Sequence, residues 1–151
     1  MSHEKKLQEL GITLPEIPAP LGSYLPIVQT GNLLFLSGIL PLVKGKLVHQ
    51  GCVGQDINLD EAREDAKTAT INALSILKSH IGSLDKIKKC VRITGYISSA
   101  SHFTEQPQVL NAASNLLFEV FGESGRHARS AVGVNILPLN ASLEIAFVFE
   151  V

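Results

Sequence analysis

A chain of 151 residues, 45% hydrophobic and 18% charged, has the size and composition of one folded domain and excludes a disordered polymer. Its formal charge of −1, with no run of Lys or Arg longer than two, argues against the basic stripe of a nucleic-acid binder. The N-terminus lacks the apolar stretch of a secretory signal, and the longest nearly apolar run, residues 33–43, is broken by Ser37, Gly38 and Pro41 and falls short of the roughly 18 residues of a membrane span; a cytoplasmic location is expected.

Residues 1–20 hold a short helical stretch, Glu4 to Leu10, ended by Gly11 and followed by Pro15, Pro18 and Pro20. Each proline biases its predecessor away from helix, so this segment reads as an N-terminal arm lying on a body formed by residues 21–151. Leu25 to Gln29 and Leu33 to Ser37 read as strands around the turn Thr30-Gly31-Asn32. The second is apolar on both sides and is expected to be buried on two faces. Lys44-Gly45-Lys46 reads as a turn before a short strand, Leu47 to Gln50.

Asn58 opens the clearest helix, with Glu61 placed to complete a capping box. Asp60, Glu61, Glu64 and Asp65 crowd its positive end, and Lys78 and His80 its negative end. Ala62, Ala66, Ala69, Ala73 and Leu77 recur at helical spacing up to Gly82, a stripe small enough to lie close on a sheet. Ile87 to Ile97 alternates as a strand, with Val91, Ile93, Gly95 and Ile97 on one side. A second long helix runs from about Gln106 to Phe121, burying Val109, Leu110, Ala113, Leu116, Leu117 and Val120 and stopping at Gly122. Cys52 and Cys90 stand alone, without metal-ligand or disulfide spacing, and read as small packing residues.

Two strands close the chain, Arg126 to Ile136 and Leu143 to Val151, read as joined by a short turn at Leu137-Pro138. Arg129 shares its side of the first with Ala131, Gly133 and Asn135, so a guanidinium stands on a sparsely filled face, with room for a ligand. Taken alone, Arg129 is as easily a surface or ion-pair residue, and Glu144 a solvent-facing strand residue. The order of elements predicts an α+β layer, with two helices on one face of a mixed sheet. The strands are apolar on both sides, so the other sheet face needs a cover, most simply a second copy of the chain.

Gly22-Ser23-Tyr24, Gly31-Asn32, Phe35 to Pro41, Val109-Leu110-Asn111, Ala128 to Val132, Leu137-Pro138 and Leu143-Glu144-Ile145 resemble, in order and spacing, the RidA (YjgF) family over residues 19–151. The resemblance implies a chorismate-mutase-like α+β fold, a homotrimer whose sheets form a central barrel, and ligand clefts between subunits. It also implies hydrolysis of enamine or imine intermediates such as 2-aminoacrylate to 2-keto acids and ammonia, with no metal or organic cofactor. By matching position, Arg129 would hold the substrate carboxylate and Glu144 would manage the attacking water. Tyr24, Ser37, Gly38, Asn111 and the Ala131 backbone would line the cleft. Two other readings stand beside this one, a trimeric keto-acid-binding module without turnover and an endoribonuclease.

The chain departs from the family at Ser23, Ile39, Ala131 and Gly133, where proline, glutamine, cysteine and an acidic residue are common; a pocket less polar near Ile39 and wider near Gly133 is expected. If residues 129–136 and 141–148 pair as a tight hairpin, Glu144 sits opposite Gly133, about 13 Å along from Arg129. A small ligand cannot span that gap, so either the register differs or Arg129 meets the Glu144 of another subunit, and the second reading is favoured.

Overall fold

The computed structural model describes residues 2–17 and 22–151. Its main sheet has five strands in the order β1 (Ile27–Thr30), β2 (Leu33–Leu36), β7 (Leu143–Glu150), β5 (Lys89–Ser98) and β6 (Ala128–Val134). Only β5 and β6 run parallel; the other neighbours are antiparallel. The helices are α1 (His3–Glu9), α2 (Leu59–Ile81) and α3 (Gln106–Phe121). A separate hairpin, β3 (Leu42–Val43) and β4 (Lys46–Leu47), turns at Lys44 and Gly45, both at positive φ (51° and 79°), as a two-residue hairpin turn requires. This hairpin replaces the expected single strand over Leu47 to Gln50.

Both long helices follow their sequence signals closely. Asn58 accepts from the Glu61 amide at 2.9 Å while the Glu61 carboxylate accepts from the Asn58 amide at 3.1 Å, the reciprocal cap that relieves two orphan donors. Gly82, at φ 86°, ends α2, and Gly122 ends α3. Ala62, Ala66, Ala69 and Ala73 are fully buried. Asn58→Ala is expected to lower unfolding free energy by about 1 kcal/mol, read as a downward shift in the thermal melt.

Along β7, Leu143, Ile145, Phe147 and Phe149 are buried and the intervening residues are not. Register carries this alternation across the sheet. Residues paired with Ile93, Gly95 and Ile97 share the helix side; those paired with Thr94 and Tyr96 share the open side. A bulge between Cys90 and Arg92 resets the alternation of β5, so Cys90, not Val91, joins Ile93 in the core. Burial pushes the Cys90 thiol up to about 12, the behaviour of an inert packing residue.

The open face is not covered by the chain's own helices. Val28 (50% exposed), Phe35 (43%) and Val132 (41%) stand on it, and Phe35 pairs with both Val28 and Val148. The expectation that β2 is buried on two faces is therefore met on one side only, where Leu34 and Leu36 are buried.

The arm packs on the body through α1. Leu7 is buried, the Ser2 hydroxyl and Glu4 amide donate to Asp85, and Glu4 accepts from the Leu84 amide and Lys78. Past the helix, the Ser75 hydroxyl donates to the Pro15 carbonyl. Pro18 and Pro20 lie outside the described residues. No described helix is long and apolar enough to cross a membrane.

Candidate functional site

The last two strands do not form a hairpin. β5 lies between them, parallel to β6 and antiparallel to β7, so the expected pairing of Glu144 with Gly133 is wrong. Parallel strands need a long crossover, and α3 provides it, while β7 inserts beside β2. Arg129 pairs with Ile93, whereas Glu144 pairs with Tyr96. An offset of three residues places the two side chains on opposite faces of the sheet. Two strand spacings and three residues of rise put their backbones about 14 Å apart.

Helix-side register also changes the reading of the small residues beside Arg129. A Cβ on Gly133 would meet Gln106 Nε2 at 3.1 Å and Ser99 Oγ at 3.2 Å, and one on Gly95 would meet Leu110 Cδ1 at 2.7 Å. Ala131 packs against the core. The sparse side of β6 accommodates α3 and the Ser99 loop, so Gly133 widens no pocket.

Arg129 itself emerges between β6 and α3. One guanidinium nitrogen donates to Ser114 Oγ at 3.1 Å and the other to the Pro107 carbonyl at 3.3 Å. Among the described residues no carboxylate pairs with it. It lines an open cleft of about 480 Å³ with Asn111, Ser114, Asn115, Phe118, Arg126 and His127. Arg126 stacks over the Phe118 ring at 5.0 Å and pairs with Glu123 at 3.3 Å. A half-buried guanidinium held only by neutral acceptors keeps its charge available for an anion.

Ser114 and His127 complete this corner. His127 Nδ1 lies 2.6 Å from the Gly125 carbonyl, and Nε2 lies 2.9 Å from Ser114 Oγ. A carbonyl can only accept, so Nδ1 carries the proton and Nε2 accepts from the Ser114 hydroxyl. Burial lowers the His127 pKa; the Gly125 hydrogen bond opposes this and the charge of Arg129 adds to it. Ser114 gave no sequence signal beyond a polar position inside α3, and His127 only its parity with Arg129.

The other expected residues gather at the far end of β2. Through Phe35↔Val148 the β2–β7 register is regular; at Ile39, which exchanges both backbone bonds with Ile145 (2.9 and 3.0 Å), it has slipped by one residue. The extra residue makes Ser37-Gly38 a bulge, the device that turns a strand end toward a site. A Cβ on Gly38 would lie 2.8 Å from the Glu144 carboxyl carbon, so only glycine lets that carboxylate lie against this backbone. Burial raises the Glu144 pKa. The Ser37 hydroxyl donates to the Leu25 carbonyl at 2.5 Å, which commits its proton to pinning the bulge.

Tyr24, Ser37 and Gly38 line a second, more apolar cleft of about 760 Å³, whose walls include Pro15, Glu16 and Ile17 of the arm and Asn72 and Ile76 of α2. Asn72 Nδ2 donates to the Leu40 and Leu42 carbonyls. Ile39 is 7% exposed and enters the core, so it forms floor more than lining. Asp65, read as a helix-dipole partner, is a buried clamp instead. It accepts from Ser142 at 2.6 Å and sits 2.8 Å from His49 Nδ1, tying the start of β7, and so Glu144, to α2. Burial is the largest influence on His49 and favours the neutral ring. The hydrogen bond and charge of Asp65, with Glu61 and Glu64, outweigh it and raise the pKa.

One chain thus carries separate groups, Arg129 with Asn111 in one cleft, Glu144 against the Gly38 backbone elsewhere, and Tyr24 with Ser37 in the cleft that Gly38 also lines. Among the described residues no cluster of three or more His, Cys, Asp or Glu is arranged to hold a metal ion.

Residues 4–151 match the family model described as "YjgF/chorismate mutase-like, putative endoribonuclease". The protein TCP17 of Trypanosoma cruzi is 38% identical over 145 residues, covering 95% of this chain and 91% of its own length. A 2-iminobutanoate/2-iminopropanoate deaminase of Dermatophagoides farinae is 29% identical over 139 residues, covering 89% and 90%. Among solved structures, the protein Atu1372 of Agrobacterium tumefaciens superposes with a TM-score of 0.91 at 42% identity, over 99% of this chain and 92% of its own.

Proposed function

The chain belongs to the YjgF/chorismate-mutase-like family, and from that premise we propose that it hydrolyses enamine or imine forms of small 2-keto acids, releasing ammonia. The observation that carries this reading is the half-buried Arg129 guanidinium, which has neutral hydrogen-bond partners and no carboxylate partner among the described residues. The name of the Dermatophagoides farinae relative points to the same chemistry. Arg129 takes the substrate carboxylate in a two-pronged, charge-assisted contact, with Asn111 beside it. Glu144, whose pKa is raised by burial, accepts a proton from the attacking water and returns it to the departing nitrogen. Gly38 and Ser37 present backbone and hydroxyl oxygen to the same ligand, and Tyr24 closes over it.

A small ligand cannot reach both groups within one chain, because they face opposite sides of the sheet about 14 Å apart. The working site is therefore composed between copies. Arg129 and the edge strand β6 of one copy meet the Ser37-Gly38 bulge and Glu144 of the next. The exposed Val28, Phe35 and Val132 supply the apolar area for a closed homotrimer.

The test generates 2-aminoacrylate in situ and follows ammonia release with and without protein. Acceleration is expected, and release no faster than in buffer removes the reading. Ligand-dependent melting shifts without turnover would favour a keto-acid-binding module. Salt-sensitive RNA cleavage would favour the endoribonuclease named in the family description.

A further inference from the structure

Arg129 is not free to swing, because it is one end of a chain of hydrogen bonds. Its guanidinium donates to Ser114 Oγ, the Ser114 hydroxyl donates to His127 Nε2, and His127 Nδ1–H donates to the Gly125 carbonyl. The far end is firm. Gly125 is buried, and a Cβ there would lie 2.2 Å from the Leu117 carbonyl of α3, so the turn carrying it is pressed onto the helix that carries Ser114. Ser114 and the Gly125 carbonyl, which bracket His127 in the relay, are thereby built on one packed unit.

From this geometry we infer that Ser114 and His127 are positioning residues of the carboxylate site, which hold Arg129 in one rotamer and couple anion binding to protonation of the imidazole. The inference rests on the proposed reading of Arg129 as the carboxylate anchor. The charged groups around His127 are Arg129, Arg126 and Glu123, the last two paired with each other. From α3 the same cleft receives only neutral side chains, Asn111, Ser114, Asn115 and Phe118. Arg129 is thus the charge that most directly opposes an imidazolium here. An anion bound to Arg129 offsets that charge and eases proton uptake by His127. By reciprocity, a protonated His127 binds the anion more tightly.

The linkage fixes the sign. The His127 pKa lies below its ordinary value, so the ring is neutral at neutral pH. Carboxylate affinity therefore rises as pH falls through that pKa, and bound carboxylate raises the pKa itself.

The experiment follows the imidazoles of the full chain by 1H–15N NMR, with the His127 signal assigned by its loss in His127→Gln and pyruvate as the probe. Expected are an Nδ1-protonated ring at neutral pH and a His127 pKa that saturating pyruvate raises by about half a unit or more. Ser114→Ala is expected to weaken pyruvate by about three- to tenfold with an unchanged melting temperature. His127→Ala should weaken it similarly. His127→Gln, whose amide oxygen can accept the Ser114 proton, should restore most of that loss and remove the part of the acid-side rise that belongs to the imidazole. A His127 pKa indifferent to bound pyruvate, or Ser114→Ala binding as wild type, overturns the inference and leaves the anchor reading intact. No pyruvate binding by the wild type overturns both.

Discussion

Replacing Arg129 with methionine is expected to weaken binding of a 2-keto acid such as pyruvate by about 10²- to 10⁴-fold, measured by calorimetry. Two charge-assisted hydrogen bonds from a guanidinium to a carboxylate, at about 1.5–3 kcal/mol each, set that scale. Arg129→Lys is expected to recover only a small part, because an ammonium cannot present the planar fork and is poorly placed to reach both Ser114 and the Pro107 carbonyl while gripping a ligand. The melting temperature should move little, since Arg129 is half-buried and bonded only to neutral groups. A methionine variant that binds as the parent does would mean the guanidinium is a structural strut for α3.

Glu144→Gln is expected to separate the two halves of the site. Keto-acid affinity stays within a fewfold of wild type, while turnover falls by about 10²- to 10⁴-fold, the usual worth of a positioned proton-transfer group. To activate water, Glu144 must be ionised. Activity therefore holds at higher pH and is lost as pH falls through its pKa, which burial has raised from its ordinary value. The glutamine variant should lose this acid limb. Gly38→Ala provides a second route to the same result, because its methyl would collide with the Glu144 carboxyl group at 2.8 Å and force it to swing away.

Much of this architecture is legible from local chemistry. Asn58 with Glu61, Gly82 and Gly122 bound the long helices because caps and stops are written in adjacent residues, and the period-2 burial of β7 needs nothing beyond alternation. Register between distant strands was not legible. Leu137-Pro138 between two β-like runs suggests a hairpin, yet Pro138 to Asn140 form a 3-10 turn, with Leu139 at φ 59°, that carries the chain past β5. The same long-range fact hid the facing of Arg129, since Ala131 and Gly133 are small for the sake of α3. Parity along β6 could not say which side α3 would occupy. The Ser114–His127 relay was invisible for a related reason. Thirteen residues separate its members, and only the packing of α3 on the strand brings them together. The bulge at Ser37-Gly38 was foreshadowed by a glycine ending an apolar run, but its register slip shows only in the pairing of Ile39 with Ile145.

The position of β7 has a consequence for how the chain acquires its structure during synthesis. It is the last of these five strands to be made and lies in the middle of the sheet, between β2 and β5. Until it emerges from the ribosome, the β1–β2 pair and the β5–β6 pair have no hydrogen-bonded contact with each other, and each presents a raw edge. Nascent chains stalled before Leu143 should therefore be protease-sensitive and prone to chaperone capture, with protection arriving in one step once Leu143–Glu150 has emerged.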